Sequence, residues 1–135
     1  MRRSVNWKSR AASSVAVLAL MTGAMTATAS SASAAATVGG CPSGKLCLYE
    51  GINYDFLSVT STSTQACIYL SNYGARFHDG IGSYVNNLPV NAVVYHRSGS
   101  SFVLDGTIRP GGFSSNSYNL VFGEEGAVCM GGVRP

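Results

Sequence analysis

The residues with the most chemistry to offer are four cysteines, Cys41, Cys47, Cys67 and Cys129. Thiolates can hold zinc, attack a carbonyl or pair as disulfides. Zinc needs closely spaced thiol pairs or histidines at ligand spacing, and the chain has neither a C-x-x-C pair nor such histidines. An even count behind an export segment favours two disulfides instead. The count allows three pairings. The favoured one staples Cys41 to Cys47 across the Pro42-Ser43-Gly44 turn and clamps Cys67 to Cys129 over the rest of the chain. Closing that longer span contributes about 4 kcal/mol on the chain-entropy estimate.

Acid–base chemistry has less to work with. His78 stands beside Asp79, but neighbours on a loop usually diverge, and a polar turn pair is the plainer reading. His96, directly after Tyr95, reads as a surface turn residue. No G-x-S-x-G elbow and no H-E-x-x-H pair occurs. A glycosidase-like pair among six carboxylates is left open by sequence. The expectation is a protein that is not an enzyme.

The first 36 residues read as an export signal rather than as part of the fold. Arg2, Arg3, Lys8 and Arg10 precede the apolar run 11–21, and small residues with A-x-A spacing follow over 29–36. The run is too short and too rich in Ala and Ser for a membrane span, and cleavage is expected within 34–36. The protein is therefore expected outside the cell, with no membrane partner. Without this segment, Lys45, Arg76, Arg97, Arg109 and Arg134 face Glu50, Asp55, Asp79, Asp105, Glu124 and Glu125, a net charge of −1. The +3 of the whole chain belongs to the precursor, and scattered single cations give no footprint for nucleic acid. About one hundred residues remain, enough for one domain over 37–135 and one modest core. A monomer is expected.

The elements that must position these residues are short strands. Runs at 45–49, 56–60, 84–88, 92–95, 101–105, 118–122 and 127–130 are apolar, alternating or β-branched, with Gly, Asn and Ser clusters between them. Only 68–73 reads as a helical turn. The class is all-β. Shifted by 46 positions, Tyr49 falls on Tyr95, Phe56 on Phe102, Asp79 on Glu125 and Gly80 on Gly126, and the window 78–83 falls on 124–129. One supersecondary unit used twice would give this, repeat one spanning about 45–88 and repeat two about 91–131. In each repeat a Tyr is expected to pack over its own hairpin bend, and two such units packed face to face make a small Greek-key sandwich.

The repeated Tyr, folded hairpin and late D-x-x-x-S loop resemble the βγ-crystallin Greek key. More closely, Cys41-Pro-Ser-Gly-Lys-Leu-Cys-Leu-Tyr-Glu50, Leu70-Ser-Asn-Tyr-Gly74 and Ser83-Tyr-Val-Asn-Asn87 resemble secreted actinobacterial proteins grouped as peptidase inhibitor family thirty-six. The resemblance implies a disulfide-stapled βγ-crystallin-like fold and inhibition of an extracellular protease, of metallo or serine class. It does not locate the inhibitory loop. Residues 97–101 and 109–117 are candidates because they read as exposed and rich in Gly and Ser. The βγ-crystallin pattern also implies Gly two places after the second hairpin aromatic, where Phe56 stands. Its calcium motif requires hydroxyl side chains where Gly82 and Val128 stand. No cofactor is expected: calcium binding should be weak or absent, with Asp79 and Ser83 the residual ligands.

Seven tyrosines divide between core and surface. Tyr49, Tyr84 and Tyr95 are expected in packing; Tyr54, Tyr69, Tyr73 and Tyr118 are candidates for a contact face. Two other functions remain alongside inhibition. One is a toxin or a cell-wall or carbohydrate-binding module; the other is a structural, stress-related domain with degenerate calcium sites.

Overall fold

Short alternating runs broken by turn residues can bury one face only by stacking against another sheet. In the computed structural model, which describes residues 37–135, they do so. The export segment expected over residues 1–36 lies outside the described residues. Eight strands follow in order: β1 Leu46–Tyr49, β2 Leu57–Ser61, β3 Cys67–Tyr69, β4 Ser83–Asn86, β5 Ala92–Ser98, β6 Ser101–Ile108, β7 Phe113–Ser114 and β8 Ala127–Met130. They make two four-stranded antiparallel sheets, ordered β2-β1-β4-β7 and β3-β8-β5-β6. The protein is all-β.

Each sheet takes three strands from one half of the chain and one from the other. Strand β3 crosses to the second sheet and β7 to the first. A shift of 46 residues carries β1 onto residues 92–95 of β5, β2 onto 103–107 of β6 and β3 onto 113–115, at β7. The shift fails before the last strand. Tyr49 pairs with Ser83, whereas Tyr95 pairs with Ala127. The counterpart of Ser83 is therefore Ala127 and not Cys129, because the second half reaches its final strand two residues sooner.

The core lies between the sheets. Leu46, Leu48, Val59, Val94, Val128 and Met130 point into it, with Phe77, Ile81 and Phe122 supplied by the loops. Strand β1 is buried along its whole length. Side chains alternate between faces along a strand, so Cys47 and Tyr49 point away from that core. They form a second cluster with Cys41 and Val85, against which Val38 and Tyr54 pack. The N-terminal strap thus covers the outer face of the first sheet. The Cys41–Cys47 disulfide pins it there, and the Tyr49 hydroxyl donates to the Gly39 carbonyl at 2.8 Å. The second disulfide joins Cys67 to Cys129 across adjacent strands of the other sheet, 62 residues apart in sequence.

Three local expectations are corrected. Residues 118–122 do not extend: a 3₁₀ turn runs over Tyr118–Leu120, and Val121 (φ 47°) and Gly123 (φ 81°) are left-handed. The Asn116 side chain accepts from the Tyr118 N–H at 3.2 Å and starts that turn. Residues 68–73 divide between β3 and 3₁₀ structure over Leu70–Phe77, which breaks at Gly74 (φ 67°). Residues 109–117 are not one free loop, because β7 lies within them and pairs with β4.

Candidate functional site

Strand β4 begins beside Tyr49 and ends beside Leu46, which defines two ends of the sandwich. At the Tyr49 end lies the β1–β2 bend, residues 50–56. At the other end Asn86 accepts from the Gly111 N–H at 2.7 Å and donates its own N–H to Gly112 O at 2.8 Å. The two stretches proposed from sequence therefore lie apart. Residues 109–112 sit at the Asn86 end, held further by the Asn86 amide, which donates to Ile108 O (3.0 Å) and Arg109 O (3.2 Å). Residues 97–101 form a tight hairpin in which Ser98 pairs with Ser101. Its left-handed position is Gly99, where that conformation is unstrained.

The β1–β2 bend differs from both. Asn53 (φ 57°), Tyr54 (φ 64°) and Phe56 (φ 55°) are all left-handed although none is glycine. Strain of this kind costs about 1–2 kcal/mol per residue and persists only where the surroundings enforce it. The surroundings here are dense. The Glu50 N–H donates to Phe56 O at 3.0 Å, and the Gly51 N–H to Asp55 O at 3.1 Å. The Asn53 N–H donates to Ser115 O at 2.6 Å. Ser83 accepts from the Tyr54 N–H at 3.0 Å and donates to Gly51 O at 2.6 Å. The Tyr118 hydroxyl donates to Glu50 O. Tyr54 sets its ring edge on Tyr49, 5.5 Å between centroids. Phe56 nonetheless stands 76% exposed, with Leu57 (48%) and Ile52 (38%) near it in the chain.

The expected packing of a Tyr over its own bend occurs in the first hairpin. In the second hairpin Phe102 packs on Tyr69 of β3, at 5.9 Å between ring centroids. Of the four tyrosines expected at the surface, Tyr69, Tyr73 and Tyr118 are exposed, and Tyr54 is half-buried in the cluster around the first disulfide.

The residues of the calcium-type loop are placed as follows. Asp79 is exposed and accepts from His78 Nδ1 at 3.1 Å. That hydrogen bond, then the Asp79 charge and that of Glu125, raise the His78 pKa above its ordinary value. Ser83 is fully buried, its hydroxyl spent on Gly51 and Tyr54. A side chain at Gly82 would overlap the Glu50 carbonyl, and one at Gly126 would overlap the Tyr95 carbonyl. Gly82 and Gly126 thus occupy equivalent places, in agreement with the corrected register. Among the described residues no group of three or more His, Cys, Asp or Glu is placed to hold a metal ion.

The sequence reading missed one polar pair. His96 is not a turn residue but lies in β5, half-buried, with Nδ1 bonded to Asp105. The other Asp105 oxygen accepts from the Gly123 N–H at 2.9 Å. Asp105 can reach both because the β5–β6 register slips between Val94 and Tyr95, leaving it unpaired as the extra residue of a bulge. Nothing in a linear pattern marks such a bulge. Nearby, Leu70, Ser71, Gly74, Phe77, Arg97 and Glu125 line a cleft of about 250 Å³.

Two electrostatic details close the geometry. Burial, and secondarily Tyr54, raises the pKa of Tyr49, so its phenol stays a neutral donor to Gly39. Every fully buried side-chain nitrogen or oxygen among the described residues has a partner, as a rigid domain requires. No helix among the described residues is long and apolar enough to cross a membrane.

Against known families, the model of Peptidase inhibitor family I36 matches residues 34–102, just over half of the chain. No curated protein and no solved structure matches.

Proposed function

Because the chain belongs to peptidase inhibitor family I36, a family of inhibitors rather than enzymes, we propose that it is a secreted protein that blocks an extracellular protease with a rigid surface element. The family match carries this reading. Support comes from the two disulfides and the bracing of the surface bends. An inhibitor must keep its shape inside a protease cleft, and freedom lost on binding would subtract from affinity. The partner is a protease, of metallo or serine class, and the inhibitor acts as a monomer.

We further propose that residues 1–36 are removed on export and that 37–135 form the working domain, a βγ-crystallin-like pair of Greek keys. The exchanged strands β3 and β7 support that description. Mass spectrometry of protein recovered from culture medium should give an N-terminus at residues 35–37; retention of Met1 would overturn the processing. Calcium binding is expected to be weak or absent, since the Ser83 hydroxyl is committed and Gly82 has no room for a ligand side chain. A micromolar calcium isotherm by titration calorimetry would refute this.

The deciding experiment titrates oxidised protein against a thermolysin-type metalloprotease and a subtilisin-type serine protease, reading residual activity on a small substrate. Stoichiometric loss of activity of either enzyme is expected. If both stay fully active while the protein itself remains uncut, the inhibitor reading fails.

A further inference from the structure

Phe56 presents a physical contradiction that folding alone does not resolve. It is 76% exposed, so it adds little to the core, and its φ of 55° is one that bulky side chains disfavour. Glycine would serve the backbone better at that position. A residue that is neither packed nor conformationally favoured has its use outside the molecule. Resting on the inhibitor reading above, we infer that the β1–β2 bend is the protease-contacting element. Phe56 is its anchor, and the target enzyme has an apolar side-chain pocket that accepts it.

The surroundings fit that role. Anchor residues that dominate an interface are rigid aromatics, and much of their value lies in being held in the bound shape beforehand. The bend is tied to three other segments: to Ser83 at the start of β4, to Ser115 after β7, and to Tyr118 in the loop before β8. Ile52 and Leu57 supply apolar surface beside the anchor in sequence. The other two stretches lack this combination. The 97–101 hairpin offers Arg and Ser around an unstrained Gly99, and residues 109–112 are bound to Asn86 at the opposite end.

The geometry also assigns the mode. A protease holds its substrate as an extended strand. Asn53, Tyr54 and Phe56 are left-handed, so the bend cannot lie extended in a cleft without breaking its hydrogen bonds. It therefore fills a pocket as a plug and is not presented as a scissile segment.

The test compares oxidised wild-type protein with Phe56→Gly, Phe56→Ser and Phe56→Leu. The panel holds thermolysin-type and subtilisin-type enzymes, which accept apolar side chains, and a trypsin-type enzyme, which accepts basic ones. Phe56→Gly suits the backbone at this position, so it should melt no lower than wild type while inhibition of the apolar-pocket enzymes weakens by about 100-fold or more. Phe56→Ser should lose inhibition equally, and Phe56→Leu should keep it within about tenfold. The bend should remain uncut, read as intact mass after incubation. If Phe56→Gly inhibits as well as wild type, the anchor assignment fails and the inhibitor reading stands. Inhibition confined to the trypsin-type enzyme would also overturn it, in favour of an arginine. Cleavage within residues 52–57 would refute the plug. Wild type inhibiting no enzyme of the panel would overturn the inhibitor reading and the assignment with it.

Discussion

A single side chain in the left-handed region can be weighed against its replacement. Relieving Phe56 of its positive φ returns about 1–2 kcal/mol, while a glycine adds back about 0.5–1 kcal/mol of unfolded-state freedom. The difference predicts that Phe56→Gly stabilises the protein by about 0.5 kcal/mol, readable in a denaturant or thermal melt. A drop of the same size would show that the ring packs in solution. His78 gives a pH-dependent signal at the same scale. The hydrogen bond and charge of Asp79 hold its pKa above the ordinary histidine value. An NMR titration should therefore show its midpoint shifted upward in wild type and lowered toward normal in Asp79→Asn. The sign follows from a raised folded pKa: any stabilisation is present at low pH and lost as pH rises through that midpoint. His78 is fully exposed, so its contribution to global stability is negligible. The Gly82 position was read from sequence as a missing calcium ligand. Only the approach of the Glu50 carbonyl explains why no side chain can stand there.

Among the elements, β4 and the residues after it carry more of the architecture than their length indicates. The buried Asn86 amide donates to Val90, Ile108 and Arg109 carbonyls, and its oxygen accepts from the Leu88 N–H. Asn87 donates to the Cys41 and Pro42 carbonyls. One dipeptide therefore ties β4 to the end of β6 and to the N-terminal strap. Asn86→Ala leaves the buried Ile108 carbonyl and the partly buried Val90 and Arg109 carbonyls short of a donor and should cost about 2–3 kcal/mol, measured by chemical denaturation. A loss below about 0.5 kcal/mol would mean that water replaces the amide. The strand content was legible because short apolar or β-branched runs such as Leu46–Tyr49 and Ala92–Ser98 stand between turn residues. The false strand at 118–122 was not, since its apolar residues are spread along a turn that starts on Asn116 and reverses at Val121. The two-residue strand Phe113–Ser114 carries no pattern of its own and exists through its partner β4.

For the whole molecule, the two disulfides act over very different spans. Cys41–Cys47 closes a separation of 6 residues and Cys67–Cys129 one of 62. On the chain-entropy estimate these contribute about 2 and about 4 kcal/mol. Replacing Cys67 and Cys129 together by Ser should thus lower stability roughly twice as much as replacing Cys41 and Cys47; equal losses would show that pinning the strap matters as much as loop closure. Sequence by itself determined the all-β class, the expectation of disulfides and the family resemblance. These follow from composition, local alternation and short motifs, which act within a few neighbouring residues. The tertiary structure decided the exchange of β3 and β7, the two-residue slip that makes Ala127 the counterpart of Ser83, and the His96–Asp105 pair on its bulge. It also showed that the β1–β2 bend holds Phe56, exposed and apolar, in a left-handed backbone braced by three other segments. Each of these depends on which backbones meet across the sandwich, and that is set by how two half-cores close over one another rather than by any local preference.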